Sequence, residues 1–329
     1  MASDASVWRC LTCRMCENVC PSLIPYAALN RKVRSISKQL GAELTCTHGG
    51  IFEQISTLMT RQGIKQDRLD WVTDDIKVNT EKGDVLFFVG CSPYFAAYFG
   101  EPYADHLLNS LRSSVKFMNK VGIVPQVLPN ELCCGHDFIL RGEYELFKEL
   151  AGRLSEQIKN SKAKTIVFNC PECMITLRDE FPKAVGKLDV ELLHISQLLV
   201  NEKDKLKFKL NKSSATFQDP CRLGRYSNIY DQPREMMALI PGFELNEMYH
   251  NKQRAICCGN TAWVGCDAGT KKIQKMRLNE AVNTGCDTLL TSCPKCFIHL
   301  TCTQEGEKDT PIGALKIKDL WEYLASCLE

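Results

Sequence analysis

The sequence predicts an α/β fold in which two small, pseudo-symmetric parallel sheets follow a helical segment that carries its own cysteines. Three observations predict it. Short apolar runs alternate with helical patterns, as in parallel α/β units. Two groups of five cysteines repeat one another, and a third group of four stands ahead of both. The frame around these features is ordinary: 329 residues, 44% apolar and 24% charged, with 41 Lys+Arg against 39 Asp+Glu for a net charge of +2. That composition belongs to folded chains and speaks against disorder. Near-neutrality gives no electrostatic case for nucleic acid or an anionic membrane as partner. The longest uncharged stretch, 85–100, is broken by Gly90 and Pro93 and is too short to span a bilayer. The first residues lack a basic segment followed by an apolar one, so no secretion signal and a cytoplasmic location are expected.

Three domains are expected: 1–75, 84–200 and 213–329. The first holds CLTCRMCENVCP and then YAALNRKVRSISKQL, where Leu29, Val33, Ile36 and Leu40 recur at helical spacing. A polar stretch over 73–84 reads as a linker, and NEKDKLKFKLNKSS leads from the second domain into the third. Four apolar runs end on cysteines: DVLFFVGC at Cys91, KTIVFNC at Cys170, ATFQDPC at Cys221 and DTLLTSC at Cys293. Such runs suit buried parallel strands. Patterns such as EYELFKELAGRLSEQI and KKIQKMRLNEAV suit the helices between them. The cysteines then fall in loops at the carboxyl ends of strands, where open α/β sheets place ligands.

Nineteen cysteines is an odd count, so full disulfide pairing within one chain is excluded. Fourteen fall into three groups. The first is Cys10, Cys13, Cys16 and Cys20. The second is Cys91, Cys133, Cys134, Cys170 and Cys173; the third is Cys221, Cys257, Cys258, Cys293 and Cys296. The second and third match at offsets of 123 to 130 residues, down to CCGH against CCGN and CPEC against CPKC. This is an internal duplication.

The first group has the spacing C-x2-C-x2-C-x3-C-P of a bacterial ferredoxin loop, which holds a four-iron cluster. Its fourth ligand is Cys20 or Cys46, or Cys20 serves the cluster of a partner protein. The repeated groups offer five thiolates each, one more than a tetrahedral zinc takes. A vicinal pair is awkward around one ion and easy across several irons. Gly135 and Gly259 are expected to let the backbone approach such a cluster, with N–H groups facing its anionic sulfurs.

The duplicated pattern resembles the cysteine-rich CCG-domain family, known from the B and fused D chains of heterodisulfide reductases. The resemblance covers about 84–300 and includes QDPCRLGRYSNIYDQPREMMALIPGFELNEM, CCGN and LLTSCPKC. The N-terminal segment resembles the second cluster motif of the C chain of those enzymes, whose first motif has no counterpart here. The resemblance implies that each five-cysteine set binds a noncubane [4Fe–4S] cluster and that the two face one another across the repeats. It implies two-electron reduction, or formation, of a disulfide such as CoM-S-S-CoB between them. An N-terminal [4Fe–4S] cubane would relay electrons from flavin- or iron–sulfur-containing reductase partners similar to the A and C chains. The rival readings are an electron-transfer component of a flavin-dependent 2-hydroxyacid or glycerol-3-phosphate dehydrogenase, a non-catalytic docking module, and a zinc-stabilised scaffold.

Further expectations concern single residues. Arg222, Arg225 and Arg234 form a cluster able to bind an anionic thiol substrate, or else charge a helix start. His136 is either a hydrogen-bond or proton donor beside a cluster or a solvated loop residue. Lys295 in CPKC should ease reduction of the second cluster, and Glu172 in CPEC should hinder that of the first. Cys266, Cys286, Cys302 and Cys327 read as core or incidental, and Tyr94, Phe95, Tyr98 and Phe99 as core. No P-loop, dinucleotide-binding glycine fingerprint or nucleophile elbow is present, so flavin or nucleotide chemistry is expected on another chain.

Overall fold

The computed structural model describes residues 5–44, 46–61, 63–64, 66, 68–260 and 262–329. Two parallel sheets organise them, as the alternating pattern predicts. The first sheet has three strands in the order β1 (Val85–Phe88), β2 (Thr165–Phe168) and β3 (Glu191–His194). Val85 pairs with Thr165, and Thr165 with Glu191. The second contains β4 (Ser214–Gln218), β5 (Glu244–Leu245), β6 (Thr288–Thr291) and β7 (Lys316–Asp319), in the order β5-β4-β6-β7. The duplication is visible in the backbone: β1 corresponds to β4, β2 to β6 and β3 to β7. A bridge between Leu86 and Gln126 stands where β5 stands in the second repeat.

The four cysteine-ending runs are strands β1, β2, β4 and β6. The strands without that sequence signal are β3, β5 and β7, each at a sheet edge. All three are short, and ELLH and KIKD mix charge with apolar residues because an edge strand faces solvent on one side. Strands β3 and β7 lead directly into helices. His194 caps helix Ile195–Asn201 by accepting from Ser196 N, and Asp319 caps Leu320–Ser326 by accepting from Trp321 N and Glu322 N.

Alternation along the strands divides the interior in two. Leu86, Phe88, Ile166 and Phe168 face one core, which also takes Leu289, Ile317 and the repeated cysteines. Phe87, Val89 and Val167 face the other, with Ala215, Phe217, Leu290 and Trp321. Both cores draw on both repeats, so neither repeat closes its own interior. Phe95 is buried, and Tyr94, Tyr98 and Phe99 pack against the same core, as expected.

In the N-terminal segment, helix Tyr26–Gln39 lies on its polar side. Ala27, Asn30, Arg34 and Ser37 are buried, while Tyr26, Leu29, Ile36 and Leu40 are exposed. Arg34 explains the inversion. Its guanidinium donates to the carbonyls of Val7, Trp8, Cys10 and Leu140, and Asn30 adds a bond to Val7 O. Gly142 meets the same helix so closely that a Cβ there would lie 2.6 Å from Arg34 O. No helix among the described residues is long and apolar enough to cross a membrane.

Candidate metal centre

Strand ends deliver the thiols. Cys91 follows β1 and precedes helix Ser92–Phe99. Cys170 follows β2 and caps helix Pro171–Asp179, which carries Cys173 in its first turn. The second repeat does the same with Cys221 after β4, and with Cys293 and Cys296 at the start of helix Pro294–Glu305. A proline opens both CxxC helices, at the position where its missing N–H costs nothing. The vicinal pairs arrive on loops, Cys133 and Cys134 just ahead of helix His136–Leu140.

Contacts among these ten thiols form one continuous file. Cys91 Sγ lies 3.5 Å from Cys133 Sγ. Cys133 meets Cys134, Cys134 meets Cys173, and Cys173 meets Cys170. Cys170 then touches Cys293 of the other repeat. The file continues through Cys296 and Cys258 to Cys257, which meets Cys221. Packed sulfurs cannot all ionise at once. Hydrogen bonds from neighbouring thiols hold Cys133, Cys170 and Cys258 well below the usual thiol range. The donating thiols Cys91 and Cys173 are pushed up by those same neighbours and by burial.

Two buried ionic devices, both unseen in the sequence, hold the loops. Arg68 donates to the Gly90 and Glu131 carbonyls, and the Glu131 carboxylate accepts from Val89 N at 2.9 Å and Gly90 N at 2.7 Å. This pins the loop before Cys91 to the loop before Cys133. The second device joins the repeats. Lys295 Nζ lies 2.6 Å from Glu172 Oε2 and 2.6 Å from Asp137 Oδ1, and Trp263 Nε1 donates to Asp137 Oδ2. Burial works against the Lys295 charge, but Asp137 and Glu172 outweigh it and hold the ammonium protonated. The expectation that Lys295 and Glu172 tune separate clusters in opposite directions is therefore corrected: the two charges compensate each other at one point between the sites.

Gly135 and Gly259 both have positive φ, +80° and +79°, and both sit against helices rather than open space. A Cβ on Gly135 would lie 2.6 Å from Phe147, and one on Gly259 2.8 Å from Gln274. Gly135 N also donates to Cys133 Sγ at 3.4 Å. His136 is buried, not solvated. Thr176 Oγ1 donates to Glu172 O, so it accepts from His136 Nδ1 at 2.9 Å and leaves Nε2 without a hydrogen-bond partner. Burial holds this imidazole neutral.

The arginine cluster has another task than binding an anion. Arg222 and Tyr226 bond Thr12, and Arg225 donates to Cys13 O. Arg14 lies over the Tyr226 ring at 3.7 Å. Arg234 is spent on Asp219 and Glu247. Residues next to Cys221 thus clamp the N-terminal motif against the second repeat. Cys13 contacts Cys257, whose hydrogen bond lowers the Cys13 thiol to about 5. Cys10 lies within electrostatic reach of Cys13 and Cys16, while Cys46 is buried in the core. Cys286 and Cys327 are also buried; Cys266 and Cys302 are partly exposed, with Cys302 Sγ accepting from Lys271. A cavity of about 470 Å³ opens where the three parts meet, lined by Arg14, His136 and Arg222 together with two ion pairs, Arg31 with Glu180 and Arg178 with Asp179.

The donor set suits iron–sulfur chemistry. Among the described residues no three Cys, His, Asp or Glu side chains converge on a single-ion position. Sulfurs in file, with vicinal pairs, match donors spread over several irons better than one tetrahedral shell.

Comparison with known proteins agrees. The model of the cysteine-rich domain family CCG matches residues 85–178 and 215–301, more than half of the chain, and the chain belongs to that family. Over 335 residues it is 30% identical to the D chain of the dihydromethanophenazine:CoB–CoM heterodisulfide reductase of Methanosarcina acetivorans, covering 97% of this chain and 77% of that protein. It is 26% identical to the B chain of the CoM/CoB fumarate reductase of Methanothermobacter marburgensis, covering 98% of this chain and 61% of that protein. The crystal structure of a hypothetical protein from Helicobacter pylori shares the fold with a TM-score of 0.54 at 11% identity, over 93% of this chain and 59% of that one. The relatives place the chain among the iron–sulfur components of reductases.

Proposed function

We propose that this chain is the iron–sulfur component of a heterodisulfide-reductase-like complex that reduces, or forms, a disulfide such as CoM-S-S-CoB. One observation carries the reading: the two five-cysteine sets touch at Cys170 and Cys293, so redox centres held by them would be close enough to act on one bond. Cys91, Cys133, Cys134, Cys170 and Cys173 would hold one noncubane [4Fe–4S] cluster, and Cys221, Cys257, Cys258, Cys293 and Cys296 the second. Cys10, Cys13 and Cys16, with Cys20 or Cys46, would hold a cubane. Bound clusters would supply the two electrons that disulfide cleavage takes.

The chain's own residues do the rest. Arg68 and Glu131 fix the loops carrying Cys91 and Cys133, and Lys295 with Glu172 and Asp137 fixes the two CxxC helices to each other. Arg222, Arg225 and Tyr226 hold Cys13 beside Cys257, so electrons would enter through the second repeat. The cavity would give a substrate room beside the sulfurs, but not a free charge to select it: Arg31 is paired with Glu180, Arg178 with Asp179 and Arg14 with Glu17, and His136 Nε2 lies buried 3.7 Å from Glu172 Oε1. Flavin- or iron–sulfur-bearing partner proteins would supply the electrons.

Thiol release from CoM-S-S-CoB by the purified protein and a reduced viologen dye tests this. The reading expects turnover that Cys170→Ser and Cys293→Ser each abolish. Full iron loading without thiol release would instead support the electron-transfer component of a flavin-dependent dehydrogenase.

A further inference from the structure

Arg222 and Arg225 carry more charge into the interior than a clamp requires. A guanidinium stays protonated in proteins, and among the described residues the hydrogen bonds of both end on neutral oxygens. Arg222 donates to Thr12 O and Thr12 Oγ1, and Arg225 to the carbonyls of Cys13, Gln253 and Ala255. Arg222 is only 4% exposed, and its Nε and Arg225 Nη2 are buried without a hydrogen-bond partner. A guanidinium withdrawn from water without a carboxylate is costly. The position of Arg222 says what offsets that cost: it stands in the wall of the small cavity enclosed by the five cysteines of the second set. Thiolates there supply the missing counter-charge. Both arginines lie within electrostatic reach of Cys221, Cys257 and Cys13.

The first repeat has no counterpart. The offset of 130 that relates Cys91 to Cys221 places Ser92 and Phe95 opposite Arg222 and Arg225. Arg68, which holds the loops of the first set, is matched by Glu131 at 3.4 Å. Lys295, Asp137 and Glu172 lie between the sets and act on both. Glu172 is within electrostatic reach of Arg222, but its carboxylate is already held by Lys295 at 2.6 Å. What distinguishes the sets is therefore a surplus of positive charge where the second set meets Cys13.

A cluster gains negative charge on reduction, so fixed positive charge beside it raises its potential. We infer that Arg222 and Arg225 make the second cysteine set the higher-potential centre of the pair, which takes its electron before the first set does. The inference rests on the proposed reading that both sets hold clusters, and adds which one fills first and why. The two electrons of disulfide cleavage are then available together only once the lower-potential first set is reduced.

The test is a reductive titration of the intact, iron-loaded protein followed by electron paramagnetic resonance. The signals are assigned by which of them Cys91→Ser and Cys221→Ser alter. In wild type the second-set signal should develop at higher potential than that of the first. Arg222→Gln and Arg225→Gln should each lower the second set's reduction equilibrium about tenfold, or about 59 mV for a one-electron couple, and leave the first set where it was. Arg222 is buried and its variant could lose the cluster; Arg225, at the rim, is the second arm for that reason. Arg222→Lys should restore the potential while lowering the thermal midpoint, because an ammonium keeps the charge and loses the planar fork. A clamp that acts only structurally would respond to Lys and Gln alike. Equal potentials in wild type, the reverse order, or glutamine variants that shift both sets together would overturn the inference and leave the cluster reading standing. A protein that loads no iron would remove both.

Discussion

Lys295 is buried among thiols and carries its charge between Asp137 and Glu172. Two carboxylates and one ammonium withdrawn from water are stable only while each has its partners. Lys295→Met should therefore cost about 3–5 kcal/mol, because it strands both carboxylates. Lys295→Met/Glu172→Gln should recover part of that loss, read as the thermal midpoint of the loaded protein. The residue scale is also where the sequence was least legible. CPKC and CPEC announce a lysine and a glutamate in equivalent places, and nothing local says that they meet across the repeats. Arg222 and Arg225 mislead similarly: their partners, Thr12 and Cys13, lie about 210 residues away.

At the scale of elements, legibility followed the strength of the local pattern. Each cysteine-ending apolar run is a strand, since a buried parallel strand is apolar throughout and its pattern survives without neighbours. The edge strands β3, β5 and β7 lack that signal. The helix at 26–39 was legible as a helix, but its orientation was not: periodicity gives a stripe and does not say which way it points. Arg34 decides, because four backbone carbonyls converge on its guanidinium. Gly142, at φ +77°, lets the first repeat approach this helix. Gly142→Ala should cost about 1–3 kcal/mol through strain and the clash with Arg34. It should also speed proteolytic cleavage ahead of residue 42 more than within either repeat.

For the whole molecule, duplication was legible in the cysteines, whereas the sharing of both cores between repeats was not. Spacing within a chain counts residues, and core sharing depends on which faces meet. The consequence is that the two sulfur sets are built into one body, with the N-terminal motif clamped to the second set through Arg222, Arg225 and Tyr226. The central claim is that these sulfurs hold iron–sulfur clusters rather than bridge or brace the fold. Anaerobic determination of iron and acid-labile sulfide, with Mössbauer spectra of the same sample, tests it most directly. Three four-iron clusters predict about twelve irons and as many sulfides per chain, in more than one spectral class. Zinc without sulfide, or one metal ion per cysteine set, would contradict the account.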